Sequence, residues 1–187
     1  MNEYPQLLVE LKRDHVRFAT IIQVLESELK KIVAGHSEDW KLLADSFEYI
    51  EAYPDLVHHP REDAIYRYCR ESRPDMAQAL LELEQEHAQI AGATASLSEQ
   101  LQAVFAEDML NREVLIAGLE NYLKMQKSHM ANEENTVFPM LLEILSESEW
   151  DALLEAAETP QDPLFEDESR LAYNALYERI MTREQGE

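Results

Sequence analysis

Apolar residues recur every three or four positions along most of the chain, a pattern that predicts long amphipathic helices. The first run alternates steps of three and four: Leu8, Leu11, His15, Phe18, Ile22, Leu25, Leu29 and Ile32. A second run alternates in the same way: Met76, Leu80, Leu83, His87, Ile90, Thr94, Leu97, Leu101 and Val104. Two looser runs comprise Leu43, Phe47, Ile50, His58, Glu62 and Ile65, and then Leu115, Leu119, Tyr122, Met125, His129, Glu133 and Met140. The sequence therefore predicts four long helices.

Turn-forming residues separate these helices. Gly35 is predicted to end the first, and Ser37 or Asp39 to cap the second. Breaks are expected at 72–75 and, with a weaker signal, at 106–111. Prolines are expected to kink or restart helices at three positions, namely Pro54, Pro60 and Pro139. Long helices joined by short connections predict an all-α, up-down-up-down four-helix bundle.

The pattern weakens beyond Ser146. We expect a short helix over 150–157, a loop over 159–163 and a terminal helix over 167–181. Residues 1–147 are predicted to form the bundle, and residues 148–187 a helical extension packed on it rather than a second domain.

Composition narrows the classes of function. Apolar residues make up 45% and charged residues 29% of 187 positions, which is typical of a globular domain. A net charge of -22 opposes binding to nucleic acid phosphates or anionic lipid. No apolar stretch is long enough to span a membrane. The lone Cys69, together with first residues that do not resemble a signal peptide, predicts a cytoplasmic protein.

Four histidines follow a weak internal repeat. His15 and His58 are 43 residues apart, and His87 and His129 are 42 apart. Across the two halves, His15 lies 72 residues before His87, and His58 lies 71 before His129. Two helix pairs related by approximate two-fold symmetry would place all four histidines at a similar depth in the bundle.

Two of these histidines have a glutamate four residues later, Glu62 and Glu133, on the same helix face. Imidazole and carboxylate donors without thiolate suit iron, manganese or zinc. Buried ionised carboxylates are costly unless they are paired or bind metal, so the alternative is a buried Glu–His hydrogen-bond network. The candidate metal ligands are His15, His58, Glu62, His87, His129 and Glu133.

The segments 53–63 and 129–139 carry a family resemblance. They read YPDLVHHPRED and HMANEENTVFP, and both are similar to the paired signature of the hemerythrin-like HHE cation-binding domain family. The likeness covers about residues 10–145. It implies a four-helix bundle with a carboxylate-bridged, non-haem di-iron centre, for which Mn or Zn could substitute. It further implies that His15 and His58 bind one iron, that His87 and His129 bind the other, and that both glutamates bridge.

Two departures from this pattern affect the expected function. Oxygen-carrying hemerythrins have a fifth histidine four residues from the third-helix ligand, where this chain has Leu83 and Ala91. A site of four histidines and two glutamates is similar to di-iron proteins of iron–sulfur cluster repair, which commonly carry a cysteine-containing domain that this sequence lacks. The expected function is binding or sensing of a small diatomic ligand, O2 or NO, or iron handling under oxidative or nitrosative stress. The alternatives are an enzyme that turns over NO, peroxide or O2, and an iron donor in cluster repair.

His59 is a rival to its neighbour as a ligand. It lies three residues before Glu62 and could replace His58. The repeat favours His58, because Met130 stands beside His129. We therefore expect His59 to be partly exposed or to support a ligand.

A ferritin-like site is a further alternative, since such sites use Glu-x-x-His. Glu84 and His87 match once, but Asp55 and Gln126 occupy the equivalent places before the other histidines. Glu84 is a candidate additional ligand that we expect to be solvated. Cys69 is expected to be a small apolar filler and His36 to be exposed. Tyr122 and Met125 are expected to be core residues, and the alternative is that they line the ligand pocket.

Overall fold

The computed structural model describes residues 4–37, 39–105, 111–157, 162, 164, 176–179 and 182. No strand occurs among them. The α-helices are α1 (Gln6–Ala34), α2 (Trp40–Ile50), α3 (His59–Ser72), α4 (Ala77–Phe105), α5 (Arg112–Asn132), α6 (Phe138–Ile144) and α7 (Glu147–Ala156). Shorter helical turns are a π-helical segment at Glu51–His58, a 3₁₀ turn at Pro74–Met76 and a second π-helical segment at Glu133–Val137.

These elements form four rods. Helices α1 and α4 are single rods, whereas α2 continues through a π-helical segment into α3, and α5 does the same into α6. Helix α1 contacts α2 and α5, and α4 contacts α2, α3 and α5. Each rod therefore packs beside its neighbours in chain order, and the predicted all-α, up-down-up-down bundle is confirmed.

The helix ends follow the predicted turn signals. Gly35 adopts a left-handed φ of 69°, and its N–H bonds the carbonyl of Ile32, which closes α1 where predicted. Asp39 rather than Ser37 caps α2, accepting a hydrogen bond of 3.0 Å from the N–H of Leu42. Asn111 caps α5, but the predicted break before it falls on residues outside those described.

Two prolines explain the π-helical segments. Pro60 and Pro139 each occupy the second position of an α-helix. Proline lacks an N–H and its ring clashes with the carbonyl four residues earlier, so the preceding turn widens. Accordingly, the N–H groups of His59 and Phe138 bond carbonyls five residues back. The predicted restarts at Pro60 and Pro139 are confirmed, whereas Pro54 lies inside the first π-helical segment.

Two apolar clusters fill the bundle and a polar layer separates them. One cluster takes side chains from all four rods, including Phe18, Tyr53, Ile90 and Tyr122. The other also takes side chains from all four, including Leu11, Ile65, Leu83 and Phe138. Every rod therefore passes from one cluster to the other, and its histidine lies between them.

Helix α7 packs on the bundle through Trp150, which is buried in the same cluster as Leu7 and Leu11. A capping box formed by Ser146 and Glu149 starts this helix three residues earlier than predicted. The predicted loop over 159–163 and terminal helix over 167–181 lie largely outside the described residues. The boundary at 147 and 148 stays a prediction. No helix in the described ranges combines the length and apolar character that a membrane crossing needs.

Candidate metal centre

The polar layer brings together all six candidate ligands in two overlapping groups. Within each group, one donor atom per residue lies within 4.8 Å of the others. Glu62 belongs to both groups. The first contains His15, His58 and Glu62, and the second contains Glu62, His87, His129 and Glu133. Every one of these side chains is buried, and both glutamates are 0% exposed.

Glu62 divides its two oxygens between the groups. Its Oε1 lies 3.5 Å from Nε2 of His15 and 3.3 Å from Nε2 of His58. Its Oε2 lies 3.6 Å from Nε2 of His87. One carboxylate therefore faces histidines of both groups, an arrangement that suits a bridge between two cations.

Glu133 lies between the histidines in a similar way. Its Oε2 is 3.3 Å from Nε2 of His15 and 3.2 Å from Nε2 of His129. Its Oε1 is 3.4 Å from Nε2 of His87. The Nε2 atoms of His87 and His129 are themselves 3.0 Å apart. The Nε2 atoms of all four histidines thus converge on the two glutamates.

The opposite ring nitrogen of each histidine faces a second carboxylate. The Nδ1 pairs are His15 with Glu134 at 3.1 Å, His58 with Asp14 at 3.3 Å, His87 with Asp63 at 2.7 Å, and His129 with Glu86 at 3.1 Å. A carboxylate at Nδ1 holds the proton there, which leaves Nε2 free to bind a cation. The orientation of the rings is therefore set by groups outside the centre.

These supporting carboxylates follow the internal repeat, although the sequence patterns alone did not single them out. Asp14 and Glu86 each precede a ligand histidine and reach the histidine of a neighbouring rod. Asp63 and Glu134 each follow a ligand glutamate and also reach across to another rod. The recurrence of an acidic residue at both repeat positions was the signal that could have identified all four.

Tyr66 is a further contact that the sequence did not reveal. Its hydroxyl donates a hydrogen bond of 2.6 Å to Oε1 of Glu133, and its side chain is fully buried. Burial, followed by the charge of Glu133, raises the pKa of Tyr66 well above its usual value. Its repeat equivalent is Val137, so no recurring pattern marked the position.

Charged neighbours in the polar layer oppose the effect of burial on the pKa values of the histidines and glutamates. Burial lowers the pKa of His15, but the neighbouring carboxylates of Glu133, Glu134 and Glu62 outweigh it and raise that pKa to about 12. Burial also lowers the pKa of His87, but Asp63 and Glu133 raise it to about 10. Burial and the charge of Glu62 raise the pKa of Glu133, but neighbouring histidines lower it to about 2. Glu62 and Glu133 are therefore both ionised, and the positive charge of the neighbouring histidines stabilises them.

A pair of cations fits this donor set. His58 Nε2, both oxygens of Glu62 and Oε2 of Glu133 are buried and have no hydrogen-bond partner. A hydrogen-bonded Glu–His network would have to satisfy these atoms, since an unpaired buried polar group costs about 1–3 kcal/mol. Donors bound to one ion at about 2.1 Å lie about 3–4 Å from one another, as the Nε2 and carboxylate oxygen atoms do here. The donor types suit iron, manganese or zinc.

The other candidate residues have different positions. Of the two alternatives for His59, partial exposure is wrong, because the residue is 5% exposed and lies in a group with His87 and His129, whereas support of a ligand stays a prediction. Glu84 is not solvated: it is partly buried and accepts a hydrogen bond of 3.0 Å from Arg70 Nη1. Among the described residues, it belongs to none of the groups that could hold a metal ion.

The remaining expectations agree with the structure. Cys69 is a buried filler of the apolar core, and burial raises the pKa of its thiol to about 11. Tyr122 is buried and Met125 packs against the same cluster as Tyr122, while Met125 also lines a groove beside His129, and His36 is exposed.

A groove of about 290 Å³ between α4 and α5 opens toward the metal-binding layer. It contains the ligand histidine His129 and the supporting carboxylate Glu86, whose side chain is 45% exposed. Its other lining residues are Gln89, Ile90, Asn121, Lys124, Met125 and Ser128. Solvent therefore approaches the centre from the His129 side.

Comparison with known proteins places this geometry in a family. Searches of curated proteins and of solved structures found no match. A family model described as "Hemerythrin HHE cation binding domain" matches residues 6–141, which include the four rods up to α6 and every candidate ligand. The described residues contain buried histidine and glutamate groups able to hold cations, and the family model matches most of the chain. The chain therefore belongs to the hemerythrin HHE cation-binding domain family.

Proposed function

We propose that this chain holds two iron ions in its polar layer and uses them to bind or sense O2 or NO, or to handle iron under oxidative or nitrosative stress. The observation that supports this most directly is the Glu62 carboxylate. It is fully buried, it has no hydrogen-bond partner on either oxygen, and it faces histidines on both sides. Such a group is stable when cations occupy both sides.

In this proposal, His15 and His58 bind one iron, His87 and His129 bind the other, and Glu62 and Glu133 lie between them. A pair of irons would supply redox chemistry and an open coordination position for a diatomic molecule. Manganese or zinc could occupy the same donors, but zinc has no redox chemistry.

The chain's own residues prepare the centre for that role. Four carboxylates at the Nδ1 atoms hold the imidazoles in place, so that little reorganisation is needed when a cation binds. Apolar clusters on both sides of the layer keep bulk water away. Tyr66 donates a hydrogen bond to Glu133 and fixes the direction of that carboxylate. The groove at His129 leaves an approach for a small solute.

Metal content tests the centre directly. We expect about two irons per chain in protein purified without chelator from iron-supplemented cells, with loss of metal in His58→Ala and in His129→Ala. His36→Ala is the matched control, because His36 is exposed in a turn away from the layer. A folded chain that binds no iron would contradict the proposal. Stoichiometric binding of O2 or NO by the reduced iron form, seen as an absorbance change without consumption, would then support binding or sensing.

A second candidate function, turnover of O2, peroxide or NO, is favoured by Tyr66. This residue is a buried proton donor in contact with a proposed ligand. If the protein is an enzyme, Tyr66→Phe should lower steady-state turnover while metal content stays at two per chain. Unchanged turnover in Tyr66→Phe would remove the observation that favours this candidate.

A further inference from the structure

A fifth histidine, His59, lies against the second group of proposed ligands. Its ring stacks on His87, with centroids 4.4 Å apart and planes 12° apart. It meets the ring of His129 edge-on at 5.8 Å. One ring nitrogen of His59 lies within 4.8 Å of donor nitrogens on both of these histidines. A buried imidazole at this distance can share their cation once its ring turns out of the stack, because a bound ion lies in the plane of each imidazole that holds it.

His59 also has a carboxylate beside its Nδ1, although the two atoms are not aligned as a hydrogen bond. Its Nδ1 faces Oδ1 of Asp55 at 3.3 Å, and the Asp55 side chain is 8% exposed. A histidine that binds a metal through one nitrogen commonly presents the other to a carboxylate. The pair Asp55 and His59 therefore resembles the pairs at the proposed ligands in its residue types and its distance, and a modest turn of the imidazole would complete the hydrogen bond.

The other half of the internal repeat lacks both members of this pair. The residues equivalent to Asp55 and His59 are Gln126 and Met130. Gln126 donates a hydrogen bond of 2.9 Å to the hydroxyl of Tyr122, and Met130 packs against the apolar core. The carboxylate and the imidazole thus occur together in one half and are replaced together in the other.

We propose that His59, oriented by Asp55, is a fifth imidazole ligand and binds the cation held by His87 and His129. The inference rests on the proposed pair of cations, and it gives the two cations different numbers of imidazole ligands. The cation on the His87 side gains three imidazoles, while the one on the His15 side has two. The histidine missing from the third helix, where Leu83 and Ala91 stand, is thereby supplied from the second rod.

Cobalt substitution gives a test that does not depend on activity. Loaded with Co(II), the chain should show one strongly shifted, exchangeable proton NMR signal for each bound histidine, because each ligand keeps its Nδ1–H beside a carboxylate. We expect five such signals in the unaltered chain and four in His59→Ala, with two Co(II) still bound. The apparent affinity of one of the two sites should fall about 10-fold or more in His59→Ala. His36→Ala should retain five signals and both affinities.

A second variant covers the case in which His59→Ala does not fold. Asp55→Asn keeps the imidazole but removes its charged partner, and only one of the five signals should then shift and exchange faster with solvent. Two bound Co(II) with four signals that neither variant alters would overturn the fifth ligand and leave the cation pair intact. A chain that binds no Co(II) would instead overturn the proposed function.

Discussion

At the scale of single residues, the metal-binding layer is built from charged groups that would be unfavourable in isolation. Asp14 is fully buried, yet it lies within hydrogen-bond distance of His58 Nδ1 and of the Tyr53 hydroxyl. Each of the four carboxylates at Nδ1 is in this way matched to a histidine, and each histidine directs its Nε2 to the centre. The outer carboxylates therefore decide how well the inner ligands are oriented before any cation arrives.

Asp63→Asn tests this outer layer. Asp63 lies 2.7 Å from His87 Nδ1, and an amide provides a weaker acceptor without charge. Because the supporting groups of metal ligands typically contribute about 10- to 100-fold in affinity, we expect Fe(II) or Co(II) affinity to fall by that amount. Competition with a coloured chelator measures it. Asp151→Asn, on the exposed side of α7, is the matched control. Equal affinities in the two variants would mean that Asp63 has no orienting role.

The six candidate ligands could be proposed from the sequence for a physical reason. His58 with Glu62, and His129 with Glu133, share a helix face, and their spacing recurs in both halves of the chain. The same patterns could not reveal Tyr66, whose contact with Glu133 joins two rods without a repeat equivalent. Nor could they reveal that His59 is buried, because its depth depends on how closely α3 approaches α4.

At the scale of elements, the glycines of α1 and α4 have opposite effects on stability. Gly35 ends α1 in a left-handed conformation, whereas Gly92 lies within α4. A Cβ at either position would meet nothing within 4 Å, so only the backbone decides the outcome. We expect Gly35→Ala to lower the free energy of unfolding by about 1 kcal/mol and Gly92→Ala to raise it by about 0.5–1 kcal/mol. Urea denaturation of both variants in one metal state checks this, and shifts of the same sign would contradict it.

The groove between α4 and α5 gives a kinetic prediction. Ser128 lines this groove beside His129, so Ser128→Trp should place an indole in the approach to the centre. We expect uptake of Fe(II) or Co(II) to slow several-fold, with the final content per chain unchanged. Stopped-flow absorbance measures the rate. Glu120→Trp adds the same side chain at an exposed position of α5 outside the groove lining, and equal uptake rates in the two variants would exclude this route.

At the scale of the whole molecule, the fold was predictable because one rule, apolar residues every three or four positions, holds along all four rods. The rods continue through the prolines at 60 and 139, because the widened turns before them avoid the clash of the proline ring. The predicted elements beyond α7 remain untested over most of their length. What the periodicity could not show is that the polar layer divides the core in two, with an apolar cluster on each side of the histidines.

Because the polar layer divides the core, the stability of the bundle depends on whether cations are bound in that layer. Cation binding to the folded chain alone stabilises it by about 2.7 kcal/mol for each site at a concentration 100 times Kd. For a chain of this size, about 2–4 °C accompanies each kcal/mol, so Tm should rise by about 5–10 °C per ion. Circular dichroism melts with Fe(II), Mn(II) or Zn(II) and with chelator measure the shift. His58→Ala combined with His129→Ala should abolish it, whereas His36→Ala should retain it in full. If none of the three metals raises Tm, the unpaired atoms of Glu62 and Glu133 must be stabilised without a cation, and the layer would be structural.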